Sequence, residues 1–189
     1  MKRTFIAIDI KRNIALNRLV ESYKRMLRDE KIKWVDLSNL HLTLAFLGDI
    51  DEDQINRAGE IMYQAANNYK SFEVSFNDTG VFRDIRKPRV IWMGIEAPES
   101  LYDLHEEICK ALREGDIHHD EKPFKPHLTL GRIKYIAKRD VLADILRSSG
   151  SYNLPPQIVN EIILYESILK PDGPAYRPLK KALFKSQGE

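Results

Sequence analysis

The chain has 189 residues, 43% of them apolar and 31% charged, the balance of a globular protein and not of a disordered or fibrous one. No apolar run approaches the ~18 residues of a membrane span, and Met1 to Ile10 holds too short an apolar stretch for a signal-peptide core. A single cysteine, Cys109, excludes an internal disulfide and a cysteine-rich zinc site, and a cytoplasmic location is the expectation. Thirty Lys and Arg against 28 Asp and Glu give a net charge of +2, so the chain as a whole is no polycation. Its cations are nevertheless grouped: Lys122 to Arg139 holds six and no acid, and Arg83, Arg86, Lys87 and Arg89 surround only Asp84. A local basic surface on a nearly neutral chain suits a phosphate-bearing ligand better than general coating by nucleic acid.

Thr4 to Ile8 reads as an opening strand. Ile14, Leu16, Leu19, Val20, Tyr23, Met26 and Leu27 then recur at the spacings of a helix. Leu40 to Leu47 is a strand ending at Gly48, and Ile55, Ala58, Ile61, Met62, Ala65 and Tyr69 mark a second helix. Strands are predicted over Ser71 to Gly80 and Arg89 to Ile95, joined by the basic turn Arg83 to Pro88. A third helix spans Leu101 to Leu112, a strand His127 to Ile133, and a short helix Val141 to Leu146 closed by Gly150. Strands over Gln157 to Leu169 and Tyr176 to Phe184, with a turn at Pro171 to Pro174, complete the pattern.

The tetrapeptide His-Leu-Thr-Leu occurs twice, at His41 to Leu44 and at His127 to Leu130, 86 residues apart. Sliding the map by the same interval lays the first helix on the third, the second on the fourth, and the strand at Ser71 on that at Gln157. The chain therefore reads as a duplicated β-α-β-α-β unit: an α+β fold of two pseudo-symmetric lobes, about residues 1–86 and 87–189, with mainly antiparallel sheets and a central cleft. With no Pro- or Gly-rich linker between the halves, one compact domain is expected.

Residues two apart on a strand share a face, so His41 and Thr43 point opposite to Leu42 and Leu44, and His127 and Thr129 opposite to Leu128 and Leu130. One such pair is an ordinary polar strand face; two at matched places in a repeat call for a common cause. Brought together by a pseudo-twofold, they make a cleft with two imidazoles and two hydroxyls. Imidazoles titrating near ~6.5 can serve as base and acid at neutral pH, one neutral and one protonated. The threonine hydroxyls can hold non-bridging phosphate oxygens. Hydrolysis of a strained cyclic phosphate requires no more than this.

These residues, with HLTLAFLGDI from His41, VFRDIRKPRVIWMGI from Val81, KPHLTLGRI from Lys125 and SILKPDGPAYRPL from Ser167, resemble the two-histidine (2H) phosphoesterases, and within them the RNA 2′,3′-cyclic phosphodiesterases, or 2′-5′ RNA ligase-like proteins. The resemblance implies a bilobal fold with no metal or cofactor. The implied reaction is hydrolysis of RNA 2′,3′-cyclic phosphate ends, tRNA fragments among them, or of cyclic nucleotides, by a monomer away from membranes. It carries over His41 and His127 as the catalytic acid–base pair, the first drawn as acid to the 3′-oxygen and the second as base to water. Thr43 and Thr129 become phosphate ligands, and Arg132 matches an arginine that approaches the phosphate. Strict alternation puts Arg132 on the face of Leu128, so it reaches the cleft only past a bulge or strand end. Alternatives are 2′-5′ ligation, a small cyclic-nucleotide phosphodiesterase, or a non-catalytic RNA-binding module using the two basic segments.

Elsewhere, His105 and Cys109 are four apart on a helix but lack further ligands for a metal. His118, His119 and Asp120 read as an exposed loop, and Trp92, Phe124 and Tyr135 as packing or surface as readily as base-stacking platforms.

Overall fold

The alternation of apolar and polar residues along the strands leaves each with one face to bury, and helices cover those faces. The computed structural model describes residues 1–148, 153–171 and 173–185. In chain order the elements are β1 (Lys2–Asp9), α1 (Ile14–Met26), β2 (Lys31–Trp34), a 3-10 turn (Leu37–Asn39), β3 (His41–Ile50), α2 (Glu52–Ala66) and β4 (Phe72–Phe82). There follow β5 (Val90–Glu96), α3 (Glu99–Glu114), β6 (His127–Tyr135), α4 (Arg139–Arg147), β7 (Gln157–Val159), β8 (Glu161–Lys170) and β9 (Gly173–Leu183). Gly150 and Asp172, assigned above to a helix end and a turn, lie outside the described residues. The expected α+β class with antiparallel sheets is what the chain adopts. One sheet has the order β3-β1-β8-β9 and the other β2-β6-β5-β4-β7, every named pair antiparallel.

The two sheets do not divide the chain at its midpoint. β4, from the first half, joins the second sheet, and β8 and β9, from the second half, join the first. The helices cross over with them: α1 reaches β4, where the Tyr23 and Thr79 hydroxyls are 2.7 Å apart in the core, while α2 packs on β8 and β9. Helix starts are set locally. The Asn13 side chain accepts the Leu16 N–H at the start of α1, and Asp51 and Gln54 form a reciprocal capping box on α2.

β2 has no counterpart in the pattern read from the sequence. It is four residues, Lys-Ile-Lys-Trp, too short to register as an alternating run, and it lies at the edge of its sheet beside β6. The long strand expected over Gln157 to Leu169 is split at Asn160 into β7 and β8, which belong to different sheets.

Both motif strands carry a bulge at the same place. Across β1 and β3, Ala7 pairs with Thr43 but Ile6 with Ala45, so Leu44 is extra. Across β5 and β6, Trp92 pairs with Thr129 but Ile91 with Gly131, so Leu130 is extra. Two consecutive residues of each strand, Leu44 with Ala45 and Leu130 with Gly131, are therefore buried on the helix side. The residue after each bulge, Phe46 or Arg132, returns to the face of the motif histidine and threonine. Strict alternation would have put Arg132 on the other face; the bulge reverses it.

Gly131 is confined by this arrangement, because a Cβ there would stand 3.0 Å from both Ile32 Cγ2 and Trp34 Cε3. Gly131→Val should cost about 1–3 kcal/mol by overpacking. The check is the midpoint of urea unfolding, which should fall with the slope unchanged.

Candidate active site

Burial fixes the direction of each motif side chain. Leu42, Leu44, Leu128 and Leu130 are almost wholly buried, at 4% exposure or less, which leaves His41, Thr43, His127 and Thr129 on the faces turned away from the helices. β3 and β6 touch one another across the two sheets. The Val35 N–H, donating to the Leu130 carbonyl at 2.9 Å, extends the β2–β6 ladder, and the Asp120 N–H, donating to the Phe46 carbonyl at 3.0 Å, ties the segment before β6 to β3 of the other sheet. The Asn39 side-chain amide donates to the Pro174 carbonyl, drawing the start of β9 to the start of β3 and curling the four-stranded sheet.

The two histidines are held alike. His41 Nδ1 is 2.7 Å from the Asn39 carbonyl, and His127 Nδ1 is 2.6 Å from the Lys125 carbonyl, in each case two residues upstream. A carbonyl only accepts, so each Nδ1 bears a proton and each Nε2 is left to act as base when neutral or donor when charged. Aromatic rings wedge both imidazoles. His41 meets Tyr176 edge-on at 5.1 Å and lies 4.9 Å from Phe5, and His127 meets Phe82 edge-on at 4.6 Å.

Burial lowers the pKa of both histidines below the ordinary value, because the charged form loses hydration. The carbonyl bonds oppose this by favouring imidazolium, while the Arg132 guanidinium acts on both in the lowering direction and the charge of His127 adds to it at His41. Arg132 also acts on the Tyr176 phenol, whose pKa burial raises. One guanidinium on the second sheet thus influences both imidazoles and a tyrosine of the first. Arg132 is exposed, with no acidic partner among the described residues.

The position equivalent to Arg132 in the first half is Phe46, over whose ring the Arg3 guanidinium sits at 5.0 Å. Sequence reasoning missed Phe46 because only the bulge places it with His41 and Thr43. Trp92, cross-strand neighbour of Thr129, occupies the space over Gly80, where a Cβ would fall 2.4 Å from its ring, and packs 5.7 Å from Phe82. Tyr135 is exposed, and Phe124 stacks on His105 at 4.0 Å.

Outside this group, His105 Nε2 lies 3.4 Å from Cys109 Sγ. Among the described residues no three His, Cys, Asp or Glu side chains converge as a metal site would need. The loop expected to be exposed is only partly so. His118 and Asp120 face solvent, but Ile117 and His119 are turned inward, His119 to 3% exposure, with its Nδ1 beside the Ile117 carbonyl. No helix among the described residues is long and apolar enough to cross a membrane.

A family model described as "LigT like Phosphoesterase" matches residues 8–92 and 95–176, each stretch enclosing one His-Leu-Thr-Leu motif. A Thermotoga maritima protein named RNA 2′,3′-cyclic phosphodiesterase is 34% identical over 186 residues, covering 96% of this chain and 95% of its own. A protein of that name from Methanothermobacter thermautotrophicus is 32% identical over 181 residues, covering 94% and 96%. Among solved structures, a Thermus thermophilus protein superposes with a TM-score of 0.76 at 27% identity, over 98% of this chain and 99% of that one. LigT of E. coli in complex with 3′-AMP shares the fold, with a TM-score of 0.71 at 24% identity over 97% and 98%.

Both imidazoles should titrate below ~6.5 in the free protein. Replacing Arg132 by Gln should move both midpoints upward, since a positive neighbour disfavours imidazolium. Proton–nitrogen NMR of the histidine side chains reads this directly; an unmoved pair would place the guanidinium elsewhere.

Proposed function

Because the chain belongs to the LigT-like phosphoesterase family, we propose that it hydrolyses RNA 2′,3′-cyclic phosphate ends to 2′-phosphomonoesters, with His41 and His127 as the acid–base pair. The observation that carries this reading is the matched fixing of the two imidazoles. On strands in contact from two sheets, each has Nδ1–H tied to a backbone carbonyl and Nε2 left for the reacting atoms.

In the reaction, water attacks phosphorus as one neutral Nε2 takes its proton. The bond from phosphorus to the 3′-oxygen breaks, and the Nε2–H of the other, protonated imidazole delivers a proton to that oxygen. The product carries phosphate on the 2′-oxygen and a free 3′-hydroxyl. Charge gathers on the non-bridging oxygens, where Thr43 and Thr129 donate hydrogen bonds and Arg132 supplies a fixed positive charge. Arg132 also disfavours imidazolium in the empty site, so the anionic substrate, by neutralising it, favours the protonated histidine that the reaction needs. The strained ring and the imidazole pair together provide the chemistry without a metal.

Four outcomes are expected. His41→Ala and His127→Ala should each lower turnover by ~10²-fold or more on a short RNA ending in a cyclic phosphate, with the fold intact by circular dichroism. Near-full activity in either variant would defeat the two-histidine mechanism. Activity should persist through exhaustive chelation with EDTA; loss in EDTA restored by zinc or manganese would overturn metal independence. The pH profile of kcat/KM should be bell-shaped, its optimum displaced to the acid side of ~6.5, because both free imidazoles are held below their ordinary pKa. Phosphorus NMR of the product should show the 2′-phosphate alone.

A further inference from the structure

The first basic segment and the part of the second that follows Arg132 are far apart along the chain, and the fold brings them to one end of the five-stranded sheet, while Lys122 and Lys125 precede β6 at its other end. Lys33 on β2 is the cross-strand partner of Arg132 on β6, and Arg132 in turn pairs with Val90 on β5. The Ile133 N–H donates to the Arg89 carbonyl at 2.8 Å, which sets Arg89 and the β4–β5 loop, with Arg83 and Lys87, against the same end of β6. Lys134 follows on β6. Among the described residues none of these six cations makes an ion pair; Asp84, the acid within the loop, is engaged by Arg86.

Lys33 lies on the site face of its sheet. Its neighbours Ile32 and Trp34 are the side chains that a Cβ on Gly131 would strike from the helix side, so Lys33 points the opposite way, with Arg132. Its Cε and Nζ come within 3.8 Å of where a Cβ on Gly173 would stand, at the tip of the β8–β9 hairpin of the other sheet. The ammonium thus sits where the ends of the two sheets approach. At the other end of β6 the preceding segment is bonded to β3 through the Asp120 N–H, Glu121 is exposed, and Lys122 is paired with Asp120, so that end holds no comparable run of unpaired cations.

We propose that this basic end of the five-stranded sheet is the track for the RNA strand on the 5′ side of the reacting phosphate, with Lys33 receiving the first phosphodiester beyond Arg132. The proposal rests on the reading of the site given above and adds a direction to it. A β-strand advances about 3.3 Å per residue, so Arg132 and Lys134 stand about 6.6 Å apart along β6, with Lys33 beside Arg132 across the ladder and the β4–β5 loop adjoining. They are spread along a strand edge and a loop, which suits successive phosphates of a single strand. A mononucleotide would leave all but Arg132 unused.

The test compares a nucleoside 2′,3′-cyclic phosphate with a short single-stranded RNA ending in the same cyclic nucleotide, in wild type and in a Lys33→Gln, Arg89→Gln, Lys134→Gln triple variant of matched melting temperature. Wild type should favour the RNA, and rising salt should erode that preference. The variant should lose about tenfold or more of the RNA-to-mononucleotide ratio of kcat/KM, with a shallower salt slope. An unmoved ratio, or an equal fall on both substrates, would overturn the track. Fluorescence anisotropy with the same RNA ending in a 3′-hydroxyl reads binding apart from the reaction. If wild type cleaves neither cyclic substrate, the reading of the site fails, yet tighter RNA binding by wild type than by the variant upholds the track. Equal binding by the two removes it.

Discussion

The site depends on which faces of β3 and β6 are buried. A one-residue slip in either register would send its histidine into the core and a leucine into the site, so pairing is specified by the apolar side chains and not by the motif histidines and threonines. Leu42 and Leu128, at 1% and 0% exposure, anchor that choice, and the carbonyls of Asn39 and Lys125 then fix each imidazole through residues that directly precede the strand. Backbone leading directly into each helix-packed strand thus supplies the acceptors, and an imidazole bonded to backbone loses less freedom when substrate binds.

Burial and the proposed role pull the histidines in opposite directions. Aromatic walls and partial burial favour neutral imidazole, whereas an acid catalyst must carry a proton. The Nδ1 bonds moderate the conflict, since a carbonyl acceptor stabilises imidazolium more than imidazole. The same bonds relate protonation to stability: the unfolded chain binds protons at an ordinary histidine pKa and the folded chain below it. Stability contributed by the neutral histidines is present above ~6.5 and is lost as the pH falls toward the lower folded values.

Much of this was legible in the sequence because it is written in short-range pattern. The repeated tetrapeptide located both motif strands, and its alternation correctly turned the histidines and threonines to one face. What was not legible depends on pairing partners. The bulges at Leu44 and Leu130 exist only relative to β1 and β5, so the placement of Arg132 and Phe46 could not follow from alternation alone. Likewise β2 is an edge strand whose two lysines disguise it, and His119 is buried by the tertiary fold and not by any apolar signal of its own. The exchange of β4 and β8 between sheets is equally invisible, since the interval of 86 residues maps one onto the other without saying where either docks.

The two bulges are matched, yet the residues they turn toward the site are not: one strand presents Arg132, the other Phe46 with the Arg3 guanidinium already engaged on its ring. A twofold arrangement with a free cation in both places would have no heads or tails, and an asymmetric guest could enter it in either of two equivalent ways. In the proposed reaction, half of those encounters would then present the wrong ester oxygen to the acid. One arginine without a twin makes the pair of half-sites directional, much as a keyway makes a round shaft turn only one way in its hub.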